Sequence, residues 1–333
     1  MTPTGTTVLL SRSDIARLAT VGDYFDAMSG AFRAHAEGRV ASPMPMQIDG
    51  RNGAFHAKGA AMECDGKRLA AIKLNANFPK NRDLFGLPTI QGAILLCDAE
   101  TGVILAILDS AEITLRRTAA ASAVALEALA RKDAATLLIC GCGVQGRAHA
   151  EALSGLRRFT RILLFDKDQA RAAGLAAQLS AMHGGVVEAA TDLGEAAARS
   201  EVIVTSTPSE SAILLPSHVR PGAFIAAVGA DNPHKNEIAP GLMRRAAIIA
   251  DVREQCAVMG DLRAAIEAGA LTRDAVRADL GEVLTGARPG RTSDDEIVIF
   301  DSTGAAFQDL AAAVMIVARA RAAGAGRHVS LDA

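Results

Sequence analysis

The chain has 333 residues, half of them apolar, and 35 Lys and Arg stand against 37 Asp and Glu for a net charge of −2. That length can bury far more surface than one small module needs and leaves room for two domains. No basic block interleaves with aromatics, which make up only 3% of the residues, so a nucleic-acid partner is not expected.

Residues 1–30 carry Asp14, Asp23 and Asp26 and no apolar leader segment, and no uninterrupted apolar run is long enough to span a bilayer. The expectation is a cytoplasmic protein with no membrane partner. The five cysteines, Cys64, Cys97, Cys140, Cys142 and Cys256, include no CxxC pair and no nearby His at zinc spacing, so neither disulfides nor a metal site is expected. Cys140 and Cys142 read as small packing residues. With Trp absent, the cores fall to Ala, Leu, Ile and Val.

In chain order, Ser11 or Ser13 can cap a helix carrying Ile15 and Leu18, and Val21, Phe25, Met28 and Phe32 follow at helical spacing. Strands are predicted over 55–60, 69–75, 92–97 and 103–108, the last two joined by a DAETG turn. This first region reads as α+β, with a small antiparallel sheet. A long Ala-rich helix over 112–130 follows. Strands then alternate with helices, at 135–140, 161–165, 186–188, 202–205, 223–228 and 247–250, with one more at 297–300. That alternation predicts a doubly wound parallel sheet of Rossmann type. A final helix over 304–323 is expected to return the chain to the first region.

The segment LLICGCGVQG at 137–146 is a buried strand running into G-x-G-x-x-G and then a helix. Gly141, Gly143 and Gly146 would let the backbone meet a pyrophosphate at the positive end of that helix. The following strand ends at Asp166, where an acid grips the adenosine ribose hydroxyls. A carboxylate there favours NAD, and Lys167 and Arg171 leave NADP open.

Further segments lie along the chain: KLNANFPKN at 73–81, GLPTIQG at 86–92, LRRTAAAS at 115–122, VGAD at 228–231 and FDSTG at 300–304. Together with the glycine loop they resemble, in the same order, the ornithine cyclodeaminase and mu-crystallin family. The resemblance implies a substrate-binding and dimerisation domain, 1–117 with 305–333, and an inserted NAD(P)-binding Rossmann domain, 118–304. It also implies roles. Lys73 matches the active-site lysine, Arg117 the arginine that holds the substrate carboxylate, and Asp231 the acid/base. Thr89 lies near the nicotinamide. Arg117, Val144, Gln145, Asp166, Thr207, Val228, Gly229, Lys235 and Ser302 join the glycines around the dinucleotide, and Thr303 falls among the substrate contacts.

The chemistry asks for such groups independently. An α-carboxylate wants a bidentate cation, which Arg117, placed near a helix start, can supply. Moving a hydride at Cα wants a base of tuned pKa such as Asp231, and Lys73 would orient the carboxylate. Taken singly, each also has an ordinary reading: Arg117 as a helix-surface charge, Lys73 as a snorkelling strand residue, Asp231 as a turn former before Asn232-Pro233.

Ornithine-processing members carry an extra arginine where PMPM (43–46) offers methionine, a carboxylate where His56 stands, and an apolar residue at Lys58. His56 and Lys58, two apart, share one face of a strand. Facing the pocket they would replace the missing arginine and repel the δ-ammonium of ornithine; at a sheet edge both would point to solvent.

Three functions are left open. One is an NAD(P)-dependent imine reductase or amino-acid dehydrogenase acting on a small amino or imino acid, such as pyrroline-2-carboxylate or pyruvate with ammonia. Another is ornithine cyclodeaminase, with NAD recycled. The last is a mu-crystallin-like NADPH-dependent binding protein, against which the retained Lys73, Arg117 and Asp231 count. A homodimer meeting through the N-terminal sheet is expected, because the exposed apolar face of that sheet needs a cover.

Overall fold

The computed structural model describes residues 6–331. It divides into two compact units, one running up to Arg117 and resuming at Ala305, the other spanning Thr118–Gly304. The ends of the expected 1–117 and 305–333 segments, residues 1–5 and 332–333, lie outside the described residues.

The chain opens with β1 (Thr6–Leu10), α1 (Arg12–Leu18), α2 (Val21–Ala36), β2 (Val40–Ala41), β3 (Met46–Gly50), β4 (Gly53–Cys64), β5 (Lys67–Asn77), α3 (Asn81–Phe85), β6 (Ile90–Asp98), β7 (Ile104–Asp109) and α4 (Ser110–Leu129). Ser11 and Thr20 cap the first two helices, each in a capping box with an Asp three residues on. Asp65 and Gly66 turn the β4–β5 hairpin with φ of 50° and 74°, the left-handed pair that matches strand twist.

The second unit continues with β8 (Thr136–Cys140), α5 (Val144–Leu156), β9 (Arg161–Phe165), α6 (Gln169–Ser180), β10 (Val186–Ala189), α7 (Leu193–Ala198), β11 (Val202–Thr205), β12 (Phe224–Ala227) and α8 (Pro240–Met243). It ends with β13 (Ala247–Ala250), α9 (Arg253–Met259), α10 (Asp261–Glu267), β14 (Val276–Asp279), α11 (Leu280–Leu284) and β15 (Val298–Asp301). The chain closes with α12 (Ala306–Ala323) and β16 (Arg327–Ser330), both in the first unit.

The sheet of the first unit runs β16-β1-β7-β6-β5-β4-β2, with β3 also on β4. It is larger than expected and not purely antiparallel, because β1 pairs β7 in parallel and β16 adds an outer strand. Strand alternation gives it two different faces. Ala60, Ala71, Ile94, Leu96 and Leu108 are buried on one, where α12 packs over β4, β5 and β6 and against α2. Phe307 anchors that helix, edge-on to Phe32 at 5.6 Å and stacked on His35 at 4.8 Å. A fully buried side chain of this kind contributes about 1.5–3 kcal/mol. On the opposite face Met46, Ile48, Phe55, Ile72 and Leu74 stay 36–56% exposed.

The second unit is α/β and Rossmann-type. Its sheet is parallel throughout, in the order β10-β9-β8-β11-β12-β15-β13-β14. The strands β11, β12, β13 and β15 are buried at every residue, as continuous apolar runs must be when helices cover both faces. Strand order reverses between β8 and β11, and the crevice outside the carboxyl ends there is where such sheets take ligands.

Candidate active site

In the second unit the glycine loop leaves β8 and opens α5. Gly141 has φ of +97°, and a Cβ on it would stand 2.8 Å from the Ser206 carbonyl oxygen. A Cβ on Gly146 would stand 1.9 Å from the Gly141 carbonyl oxygen, so the helix can start this close to the strand only with glycine there. Gly143 is the N-cap, without a side-chain cap and with open space around its Cβ position. The first-turn N–H groups of α5 are thus presented to an anion. Val144 is exposed, and the buried Oε1 of Gln145 has no hydrogen-bond partner among the described residues. His149 pins this turn: burial lowers its pKa to about 4, Nδ1 donates to the Gln145 carbonyl at 2.8 Å, and Nε2 accepts from Ser122 Oγ at 3.0 Å.

Asp166 follows β9 and is buried. Its Oδ2 accepts from Cys142 N at 2.8 Å and its Oδ1 from Asp168 N at 2.9 Å, which fixes the carboxylate against the glycine loop. Arg171, half exposed, lies 3.8 Å from Oδ2. After β12, Val228 and Gly229 lead to Asp231, an exposed side chain whose Oδ1 accepts from Lys235 Nζ at 2.8 Å and from Asn232 Nδ2 at 3.2 Å. Thr207 donates both its N–H and its hydroxyl to buried Glu237, at 2.6 and 2.7 Å. After β15, Ser302 Oγ donates to Asp251 at 3.0 Å, and Thr303 Oγ1 accepts from Gln255 at 2.7 Å while lying 3.3 Å from Asp251. Both hydroxyls are therefore committed to inward partners.

In the first unit Lys73 and Arg117 are each 4% exposed and meet on one carboxylate, Asp309. Lys73 Nζ lies 2.5 Å from Asp309 Oδ2 and 3.5 Å from Thr114 Oγ1. Arg117 donates from Nε to Asp309 Oδ1 at 3.0 Å and from Nη1 to Gln308 Oε1 at 2.8 Å. Arg117 lies eight residues into α4 rather than near its start, as expected from sequence, because the helix already begins at Ser110. Burial lowers the Lys73 pKa to about 7; Asp309 pulls it up, and Arg117 and Lys58 push it down. Burial also pushes Asp309 up, but Arg117 and Lys73 outweigh it and hold that carboxyl below its ordinary range.

Lys58 stands directly across from Lys73, and His56 across from Asn75, so both share the Lys73 face of the sheet. On the side of β4 away from β5, His56 pairs Gln47 of β3 and so lies inside the sheet, whereas Lys58 falls between the stretches of β4 that pair β3 and β2. Thr89 is half buried beyond α3, where its carbonyl accepts from Phe78 N at 2.9 Å.

Sequence reasoning missed Gln308, Asp309, Glu237 and Asp251. Asp309 had a legible signal: an acid inside the apolar helix stretch AFQDLAAAVMIV must find a cation if the helix is buried. Glu237 and Asp251 had none, since each reads as an ordinary loop acid.

Fold and site together define an α/β protein with a Rossmann-type unit and a second α+β unit carrying a buried cationic cluster. The chain belongs to the ornithine cyclodeaminase/mu-crystallin family, whose model matches residues 6–324. An archaeal alanine dehydrogenase, solved as a dimer with bound NAD, is 31% identical with a TM-score of 0.93, over 98% of this chain and 99% of that one. The Δ1-pyrroline-2-carboxylate reductase of Thermococcus litoralis, solved with NADH and L-proline, is 28% identical with a TM-score of 0.92, over 97% and 100%. The iminosuccinate reductase of Paracoccus denitrificans, solved with NAD+, is 31% identical with a TM-score of 0.88, over 98% and 100%.

Proposed function

We propose that this chain is an NAD-dependent oxidoreductase acting at the α-carbon of a small amino or imino acid, as a reductase of imines or ketimines or as an amino-acid dehydrogenase. The observation that carries the reading is the buried cluster of the first unit. Lys73 and Arg117 share the single carboxylate of Asp309, so with both charged the three groups carry net positive charge, and a substrate carboxylate is the group that completes it.

NAD, when bound, accepts or supplies the hydride at Cα. The residues present fit it: an uncapped α5 N-terminus and the open Gly143 position for the pyrophosphate, and Asp166 for the ribose hydroxyls. Asp166 supports NAD over NADP, since its charge opposes a 2′-phosphate. Arg117 and Lys73 bind and orient the carboxylate. Asp231 takes the amine proton as the carbon is oxidised and returns it in the reverse direction, with Lys235 as its ion-pair partner.

Lys58 on the Lys73 face supports a reductase or dehydrogenase over a cyclodeaminase, because a second cation opposes the terminal ammonium of ornithine. The exposed face of Met46, Ile48, Phe55, Ile72 and Leu74 supports a homodimer joined there. No helix among the described residues is long and apolar enough to cross a membrane, and a cytoplasmic enzyme is the corresponding proposal.

The test is a substrate panel with the purified protein: Δ1-pyrroline-2-carboxylate, and pyruvate with ammonia, each with NADH. Ornithine with catalytic NAD completes the panel. NADH consumption with either of the first two supports the reading. Ammonia release from ornithine without net NADH change would replace it with the cyclodeaminase.

A further inference from the structure

Glu237 is fully buried, ten residues beyond the end of β12, and its carboxylate accepts four hydrogen bonds. Oε1 takes the Thr207 N–H at 2.6 Å and the Thr207 hydroxyl at 2.7 Å; Oε2 takes the Thr205 hydroxyl at 2.7 Å and the Gly229 N–H at 2.8 Å. Thr205 is the last residue of β11 and Gly229 lies just past β12. One side chain therefore ties together the loops leaving two adjacent parallel strands. A Cβ on Gly229 would stand 2.5 Å from the Glu237 carboxyl carbon, so it is glycine at 229 that admits the carboxylate.

Glu237 is itself braced. Its N–H and that of Ile238 both donate to Asp261 Oδ1, at 2.6 and 2.9 Å. The Asp261 and Leu262 N–H groups in turn donate to Asp301, at 3.3 and 2.8 Å, and Asp301 ends β15 immediately before Ser302. Three carboxylates in succession thus fix the carboxyl-end loops of β11, β12 and β15. An apolar plug would fill this space without the desolvation cost of a buried acid. What the acid adds is direction, because its bonds to two loop N–H groups and two hydroxyls set where those loops stand.

We propose that Glu237 is a positioning residue for dinucleotide binding and proton transfer, acting through Thr207 and the Gly229–Asp231 turn rather than by touching the reactants. The proposal rests on the function assigned above, in which Thr207 lines the dinucleotide and Asp231 carries the proton.

Glu237→Gln is the informative change. Each carboxylate oxygen accepts from a backbone N–H, which can only donate, so whichever way the amide turns its NH2 group meets an N–H and releases one loop. Side-chain volume hardly changes. In the full-length protein, NADH Kd by fluorescence titration, kcat and KM, and Tm by circular dichroism are compared for wild type, E237Q and Thr205→Val, which loses only a hydroxyl bond. Expected for E237Q is a rise in NADH Kd and a fall in kcat, each at least about tenfold as misplaced groups produce, with substrate KM little changed. T205V should stay close to wild type. A role in stability alone would lower Tm and leave kcat and NADH Kd of the folded protein unmoved, and that result overturns the proposal.

Should E237Q not fold, Glu237→Asp, which keeps a carboxylate but draws it back from the Thr207 and Gly229 N–H groups, carries the test with the same expectations. A wild type that fails to bind NADH overturns the proposed function itself. A wild type that binds and turns over beside an indifferent E237Q overturns only this inference.

Discussion

Replacing Asp309 by alanine removes the one carboxylate that the two buried cations of the first unit share. Its partners respond differently. The Arg117 guanidinium cannot shed its proton, so its charge stays buried with only Gln308 Oε1 still accepting from it in this cluster. Lys73 already sits at about 7 with Asp309 pulling it up; without that pull it falls lower and is neutral at neutral pH. The cost at neutral pH therefore comes mainly from Arg117, about 3 kcal/mol, the lower end for a broken buried pair. A loss of that size lowers Tm by roughly 4 °C in a 333-residue chain that unfolds as one, at about 2.1 cal/mol/K per residue.

The pH dependence has a definite sign. A lysine whose folded pKa is depressed holds its proton in the unfolded chain but not in the folded one between about 7 and 10.5. Wild-type stability from this group therefore rises with pH across that window. Below it, folded wild-type Lys73 is charged and held by Asp309, a contact the variant lacks, so the loss should be larger near about pH 6 than near about pH 9. Scanning calorimetry of wild type and Asp309→Ala at both values decides this. A variant as stable as wild type, or one whose loss grows with pH, refutes the reasoning.

Asp166→Asn removes the charge and can keep its oxygen on Cys142 N only by turning its NH2 toward Asp168 N, so binding of both cofactors weakens while the NADPH-to-NADH ratio of kcat/KM should rise at least about tenfold, about 1.4 kcal/mol; an unchanged ratio takes Asp166 out of cofactor choice. Asp231→Asn should lower kcat roughly a hundredfold or more with NADH binding retained. Arg117→Ala should act chiefly on KM, since the carboxylate it binds keeps its charge through the reaction; a third of wild-type kcat surviving in Asp231→Asn would pass the proton role to Lys73. Ile72→Glu, on the exposed sheet face, should give a monomer by light scattering, and an intact dimer would place the interface elsewhere.

The parts legible in the sequence are those whose physics is local. The glycine loop could be read because strand, turn and helix start are contiguous and each glycine answers to a backbone constraint within that stretch, as Gly141 and Gly146 do. Buried parallel strands such as β11 and β12 announce themselves as unbroken apolar runs. An acid within the apolar stretch of α12 signals that Asp309 needs a cation, but not which one, because its partners lie 192 residues away at Arg117 and on β5 at Lys73; only the packing of α12 on the sheet brings them together. The setting of Lys58 and His56 could not be read either. A one-residue shift of β4 against β5 would turn both to the other face, and the Lys58–Lys73 register is a property of the folded sheet. The short strands β1 and β16 escaped because each borrows its order from a neighbour rather than from its own pattern.

Hydride transfer to the α-carbon is tested by following the hydride itself. NADH deuterated at the transferred C4 position is incubated with the protein and the best substrate of the panel, and the amino-acid product is examined by mass spectrometry. One deuterium is expected in the product, carried on Cα and absent when unlabelled NADH is used. Product formed without deuterium at Cα, or no product from any 2-imino or 2-oxo acid tested while NADH stays bound, would contradict it.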